Sequence, residues 1–242
     1  NNKSADFGET VYLSIKAGNL GYTAAKNVYA KISSASNLIT ILNDSAFIGD
    51  LSAISEIIVS DKHEIKINRE VPDMSMVTLS LLLGDDKTQK KYTLDIVIHS
   101  PELQIVSCTM DDTTLGNGNF IADPGEKYLL VYKVRNQGSS DASGDFSVST
   151  ADTEKITILD QNVKSGVLKF GTVTEIPVTV RLAETVANGS YFDVSSTLNS
   201  DPYIITNSFT FRAGKVRESF EAESFNVFPW INNNKIPWVI TT

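Results

Sequence analysis

Asp123-Pro-Gly-Glu126, the run Lys127 to Val134 (KYLLVYKV) and Asn136-Gln-Gly138 decide how the chain is read, because this stretch occurs twice. Asp6-Phe-Gly-Glu9, the run Thr10 to Ala17 (TVYLSIKA) and Asn19-Leu-Gly21 repeat it at constant spacing: 123−6, 126−9, 136−19 and 138−21 all give 117. The phase persists at Ile39-Thr-Ile-Leu42 against Ile156-Thr-Ile-Leu159, and at Gly49 against Gly166. A shared phase held over about forty residues marks a duplicated module.

Inside each copy the apolar residues alternate. Val11, Leu13 and Ile15 stand against Tyr12, Ser14 and Lys16, the period-2 pattern of a half-buried strand. Further strands are expected at Val28 to Ile32, Leu38 to Leu42, Ile54 to Ile67 (two strands or one bent one), Val77 to Leu83 and Lys91 to Ile98. Gly84-Asp-Asp-Lys87 forms the last hairpin turn of the first copy. The second copy repeats the plan from Leu103 to Phe211. Val28 and Ile32 match Phe146 and Thr150 in face only at an offset of 118, and Val71 matches Val186 at 115. Turn signals about every ten residues and no helical window predict an all-β chain: two tandem Ig-like antiparallel β-sandwiches. The expected divisions are residues 1–100, 101–214 and a C-terminal segment, 215–242. That segment holds both tryptophans, Trp230 and Trp238, with Phe220, Phe225 and Phe228. It either packs back on the second copy or opens a further domain. The junction Ile98-His-Ser-Pro101-Glu-Leu103 has no Gly/Ser spacer, and Pro101 stiffens it, so a restricted hinge is expected.

The chain has 242 residues and a net charge of −8, with acid exceeding base in both copies. No basic stripe exists to neutralise phosphates, so nucleic acid is not the expected partner. No apolar run approaches the roughly 20 residues of a membrane span. The single cysteine, Cys108, excludes an internal disulfide. The first copy starts almost on its Asp-x-Gly-Glu element, so an excised fragment with targeting information upstream is expected.

Three features together resemble a known family. The paired Asp-x-Gly-Glu, strand, Asn-x-Gly pattern looks like bacterial Ig-like modules of the CARDB type. Cys108-Thr-Met-Asp-Asp…Gly116-Asn-Gly-Asn-Phe-Ile-Ala-Asp-Pro-Gly-Glu126 resembles the lead-in of such modules in large secreted Bacteroidetes proteins, of which gingipain-type cysteine peptidases are the best-known carriers. Ser219-Phe-Glu-Ala-Glu-Ser-Phe-Asn-Val-Phe-Pro-Trp230, with Ile236-Pro-Trp238, is similar to the first strand of their jelly-roll adhesin domains. The resemblance implies a non-catalytic accessory region, secreted or at the cell surface, C-terminal to a peptidase domain. Its implied partners are the neighbouring domains of the same polypeptide and a host or surface protein. A carbohydrate- or host-protein-binding adhesin module is the alternative, with Tyr12, Tyr22 and Tyr29 as its only aromatic cluster outside the tail.

Catalysis would need Cys108 to meet His63 or His99. Cys108 stands in an alternating run, where a buried inert thiol is expected; His63, in the charged strand Asp-Lys-His-Glu, reads as solvated, and His99 ends a strand at the module junction. Asp111, Asp112, Asn117, Asn119, Asp123 and Glu126 form the one constellation with chemistry of its own. Hard oxygen donors within sixteen residues, interleaved with Gly116, Gly118 and Gly125, suit calcium. The competing reading is a set of Asx turns, with Pro124-Gly125 at the centre of a type II turn. Glu9 and Glu126 are expected to accept turn amides, and Asn19 and Asn136 to cap their own loops.

Overall fold

The structure, a computed structural model, describes residues 4–85 and 87–215. The aromatic segment from Phe220 to Trp238 lies outside the described residues. The strands are β1 (Ala5–Asp6), β2 (Thr10–Asn19), β3 (Ala25–Ser33), β4 (Ile39–Asn43), β5 (Ser45–Leu51), β6 (Ser55–Ile67), β7 (Ser75–Gly84) and β8 (Gln89–His99). They continue as β9 (Leu103–Asp111), β10 (Lys127–Asn136), β11 (Ala142–Ser149), β12 (Ile156–Ile158), β13 (Asn162–Leu168), β14 (Val173–Leu182), β15 (Tyr191–Ser200) and β16 (Tyr203–Arg212).

Alternating burial along these strands builds two Ig-like β-sandwiches in tandem. In the first unit a sheet ordered β1-β8-β7-β3-β5 covers one ordered β2-β6-β4. In the second, β13-β11-β15-β16 covers β12-β14-β10-β9. No sheet mixes strands from the two sides of Ser100. The strand pairs are antiparallel except β1 on β8.

The duplication extends to single bridges. Ala5 pairs in parallel with Ile98, and Ala122 does the same with Ala213, an offset of 213−98 = 115 on β8 and its counterpart. Ile32 stands opposite Leu81, and Val148 opposite Ser196, which is Leu81 carried forward by the same 115. The counterpart of Ile32 is therefore Val148, not Thr150, and the offset there is 148−32 = 116.

β5 and β13 are strands that alternation does not reveal. Gly49 and Gly166 sit inside them at φ of 88° and 68°, which breaks the pleat and the side-chain phase. β6 is one bent strand: Asp61 turns at φ of 53°, and the register on β2 slips between Leu13 and Ile15.

The two interiors differ. The second unit has one continuous core around Tyr128, Tyr132, Phe146, Phe192, Leu130 and Ile176, all sealed from solvent. The first is divided into a cluster around Ile65, Leu79 and Ile98 and a small one of Ala17, Val28 and Leu51. A fully buried aromatic or large aliphatic side chain contributes about 1.5–3 kcal/mol, so the second unit holds the larger share of the hydrophobic stabilisation.

Candidate functional site

Two constellations are assembled by the fold: the loop between β9 and β10, and the junction between the units. In the loop, Asp112 is sealed from solvent and accepts from the amides of Asn119 at 2.9 Å and Phe120 at 3.1 Å. Glu126 Oε1 accepts from the Asn117 amide at 2.6 Å. Asp123 Oδ2 accepts from the side-chain Nδ2 of Asn117 at 2.9 Å and of Asn119 at 2.7 Å. The asparagine oxygens are engaged too: Asn117 Oδ1 takes the Asn119 amide at 3.0 Å, and Asn119 Oδ1 takes the Ile121 amide at 2.8 Å. A Cβ at Gly116 would stand 2.3 Å from Glu126 Oε1, so a side chain there would displace the Glu126 carboxylate from the Asn117 amide. Five of the six sequence-designated oxygen residues thus share one network. Asp111 turns away to the Thr113 hydroxyl at 2.6 Å, which with the Thr113 amide holds its carboxyl below the ordinary range. Among the described residues no three His, Cys, Asp or Glu side chains are grouped to hold a metal ion.

The turn into each first long strand is built alike. The Glu126 amide donates to Asp123 O at 3.2 Å with Gly125 at φ of 82°, and Glu9 donates to Asp6 O at 3.2 Å with Gly8 at φ of 70°. Each glutamate reaches back to the amide three residues earlier, Asp123 at 3.4 Å and Asp6 at 3.3 Å. The asparagines repeat as clasps. Asn19 Oδ1 takes the Gly21 amide while its Nδ2 donates to Thr23 O and Leu51 O. Asn136 does the same with Gly138, Ser140 and Leu168, each 117 residues on. Both clasps tie the end of the first long strand to the end of β5 or β13.

The stiff linker at the junction was legible in the sequence, but the side chain that clamps it was not. Asp73, in the turn after Pro72, reaches into the second unit: its Oδ1 accepts from Ser139 Oγ at 2.5 Å and from the Ser100 amide at 2.8 Å. Burial pushes the Asp73 carboxyl up, but the Ser139 hydroxyl and the amides of Ser100, Ser139 and Met74 outweigh it and hold the carboxyl below the ordinary range. His99 Nδ1 lies 2.7 Å from the same Ser139 oxygen. Since that hydroxyl gives its proton to Asp73, the imidazole donates. A nucleophilic serine needs the reverse polarity, with imidazole accepting from hydroxyl, so this chain of Asp, Ser and His is a clamp. Around it, the Tyr203 hydroxyl donates to Val71 O at 2.9 Å, Phe7 meets the Tyr203 ring at 5.5 Å, and Arg69 pairs with Asp201 at 2.7 Å. Gly138 lies directly on the linker: a Cβ there would stand 2.2 Å from Ser100 O and 2.4 Å from Glu102 N. A weak signal was present in Val71-Pro72-Asp73, which reads as punctuation, but nothing in it names a partner 66 residues away.

The nucleophile and base candidates are not brought together. Cys108 is half-buried on β9 opposite Tyr132, and burial pushes its thiol up to about 12, tempered by the Tyr132 hydroxyl. His63 is not solvated as its charged neighbours suggest: it takes the inward phase of β6 and is sealed in the first unit, and His99 is held in the clamp. The three tyrosines do not form a platform either. Tyr12 lies on the sheet of β2, Tyr29 on the opposite sheet with its hydroxyl accepting from Gln89, and Tyr22 on an exposed loop.

No protein-family model matches the chain, and no curated protein does. Among solved structures it is similar to the C-terminal domain of the Streptococcus agalactiae AgI/II polypeptide BspA. The identity is 10%, with 88% of this chain and 96% of that one covered and a TM-score of 0.40. It is also similar to native E. coli alpha-2-macroglobulin, with 8% identity, 88% and 16% covered and a TM-score of 0.35. Red sea bream transglutaminase gives 13% identity, 88% and 30% covered and a TM-score of 0.34.

Proposed function

We propose that this chain is a non-catalytic accessory region of a secreted or cell-surface multidomain protein, and that its two sandwiches act as a stiff spacer holding neighbouring domains at a set distance and angle. The observation that carries this is the Asp73 clamp. One carboxylate joins the turn before β7 to the linker at Ser100 and to Ser139 of the second unit. Only three residues separate the end of β8 at His99 from the start of β9 at Leu103, and Pro101 among them is buried. A charge-assisted, partly buried hydrogen-bond set resists rotation where a solvated linker would not. The assignment to a large exported protein of the kind that gingipain-type peptidases exemplify rests on the sequence resemblance alone.

Small-angle scattering tests the reading. A single inter-unit geometry should fit the native chain, and Asp73→Ala or Gly138→Ala should broaden it while each unit stays folded. A native chain that needs a wide spread of angles would refute the spacer.

A further inference from the structure

Asn-Gly occurs twice in the chain, at Asn117-Gly118 in the β9–β10 loop and at Asn188-Gly189 in the loop between β14 and β15. The dipeptide carries latent chemistry, because glycine has no Cβ to shield its nitrogen from the preceding side-chain carbonyl. Both asparagines are exposed. The fold treats them in opposite ways.

At Asn188 the reacting groups are tied up. The Gly189 N–H donates to Ala213 O at 2.7 Å, inside a turn that the Ser190 amide closes on Ala187 O at 3.1 Å. The Asn188 side chain lies over Gly214, where a Cβ would stand 1.8 Å from its Oδ1. An amide nitrogen held in a short bond to a backbone carbonyl is not free to turn onto its neighbour's side chain.

At Asn117 the same groups are assembled. The Gly118 N–H has no protein acceptor among the described residues. Gly118 stands at φ of 76° in open space, with nothing within 4 Å of where a Cβ would be. Asn117 Oδ1 accepts from the Asn119 amide at 3.0 Å, and this bond to the amide two residues on curls the side chain over the intervening Gly118 nitrogen. The same N–H stands where negative charge develops on the oxygen as a nitrogen adds to Cγ. Nδ2, the group that leaves, donates to Asp123 Oδ2 at 2.9 Å, and a carboxylate there favours the ammonium form of a departing nitrogen. These partners fix which amide atom is which, since a carboxylate accepts and a backbone N–H donates.

We propose that Asn117 is a self-modification site, at which the loop converts the side-chain amide into a carboxylate without an enzyme. The Gly118 nitrogen adds to Asn117 Cγ and passes its proton, through water, to Nδ2. The Cγ–Nδ2 bond breaks, ammonia leaves, and a five-membered succinimide remains. Water opens that ring at either carbonyl, which gives aspartate or isoaspartate. The product adds one negative charge to a chain already at −8 and sets a carboxylate where Nδ2 met Asp123. The two repel, so the loop loses one of its internal ties. This goes beyond the spacer role and does not depend on it.

Peptide mapping of the full chain, aged at neutral pH and physiological temperature, tests the site. The one-dalton mass gain should accumulate at Asn117 at least about tenfold faster than at Asn188. In denaturant the two sites should react at similar rates, with Asn117 no faster there than in the native chain. Digests should contain isoaspartate beside aspartate at position 117, since only the ring opens both ways. Asp123→Asn removes the charge beside the leaving nitrogen, so it should slow the reaction at Asn117 several-fold and leave Asn188 unchanged. Equal native rates at the two sites, or a native rate at Asn117 below the denatured one, overturns the proposal. So does aspartate as the sole product, which would mean direct attack by water, or an Asp123→Asn chain that reacts as fast as the native one.

Discussion

Tyr132 and Ile15 hold the same place in the two units, 132−15 = 117 residues apart, yet their surroundings differ. Tyr132 is sealed between the rings of Phe146 at 4.9 Å and Phe209 at 5.9 Å, with β9 alongside. Ile15 lies on β2, which among the described strands pairs with β6 alone, and is half-buried. One added strand accounts for the contrast, because a sandwich core closes only when both seams between its sheets are covered. A shared sequence plan therefore does not imply a shared interior: the described strands of the second unit seal its core, and those of the first leave Val11, Leu13 and Ile15 half-buried.

That contrast can be broken most sharply in the cores. Tyr132→Ala should cost the second unit about 3–5 kcal/mol, whereas Ile15→Ala should cost the first less than about 2 kcal/mol, since much of that side chain already meets water. Hydrogen exchange resolved by unit during denaturant titration reads both. Equal losses would show that the first unit is as well closed as the second.

The asparagine clasps give the next effect. Asn136 is 1% exposed, and Asn136→Ala leaves the Ser140 and Leu168 carbonyls without their donor, a loss of about 1–3 kcal/mol. Asn19→Ala should cost less, because water reaches the freed carbonyls of Thr23 and Leu51. A reversed order in thermal melts would contradict the burial difference.

Acid separates the units in a third way. Burial holds the His63 imidazole below its ordinary value of 6.5, although the Asn43 and Asp44 carbonyls and the Asp44 charge pull the other way. The unfolded chain therefore takes up this proton first as pH falls, near 6.5. The stability of the first unit is complete above that value and declines below it, as the pH approaches the lower folded value. The second unit contains no histidine and should hold steady over the same window. His63→Leu should flatten the profile of the first unit, and a decline of both units together would remove His63 as the cause.

The smallest effect is expected from calcium. The carboxylates of Asp112, Asp123 and Glu126 already accept amide donors, so an ion has to displace hydrogen bonds to bind. Millimolar calcium after chelation should move the melting temperature of the second unit by no more than about 1 °C, whereas tight binding adds several kcal/mol by mass action. A larger rise would establish the loop as a cation site.

Much of this was legible without coordinates. The Asp-x-Gly-Glu turn and the Asn-x-Gly loop bonds run within two to four residues, so turn chemistry announces them at both positions, whereas the reach of each asparagine to Leu51 or Leu168 spans 32 residues and does not show in the sequence. Alternation gave β2, β10, β14 and β15, because one face of each meets a core. It failed at β5 and β13, where Gly49 and Gly166 break the phase. Five oxygen residues of the β9–β10 loop were legible as a group. Their proximity in the chain could not tell whether they face an ion or one another, and the backbone path turned them onto amides.

The order of residues by itself determined the duplication, the all-β architecture and the turns, since each depends on periodicity or on hydrogen bonds between near neighbours. Only the tertiary structure decided that Asp73 clamps Ser139, that Cys108 and the histidines stay apart, and that the second unit has one continuous core where the first has two clusters. Those facts depend on which edges and loops meet across tens of residues, and pairing between distant strands leaves no periodic trace in the chain.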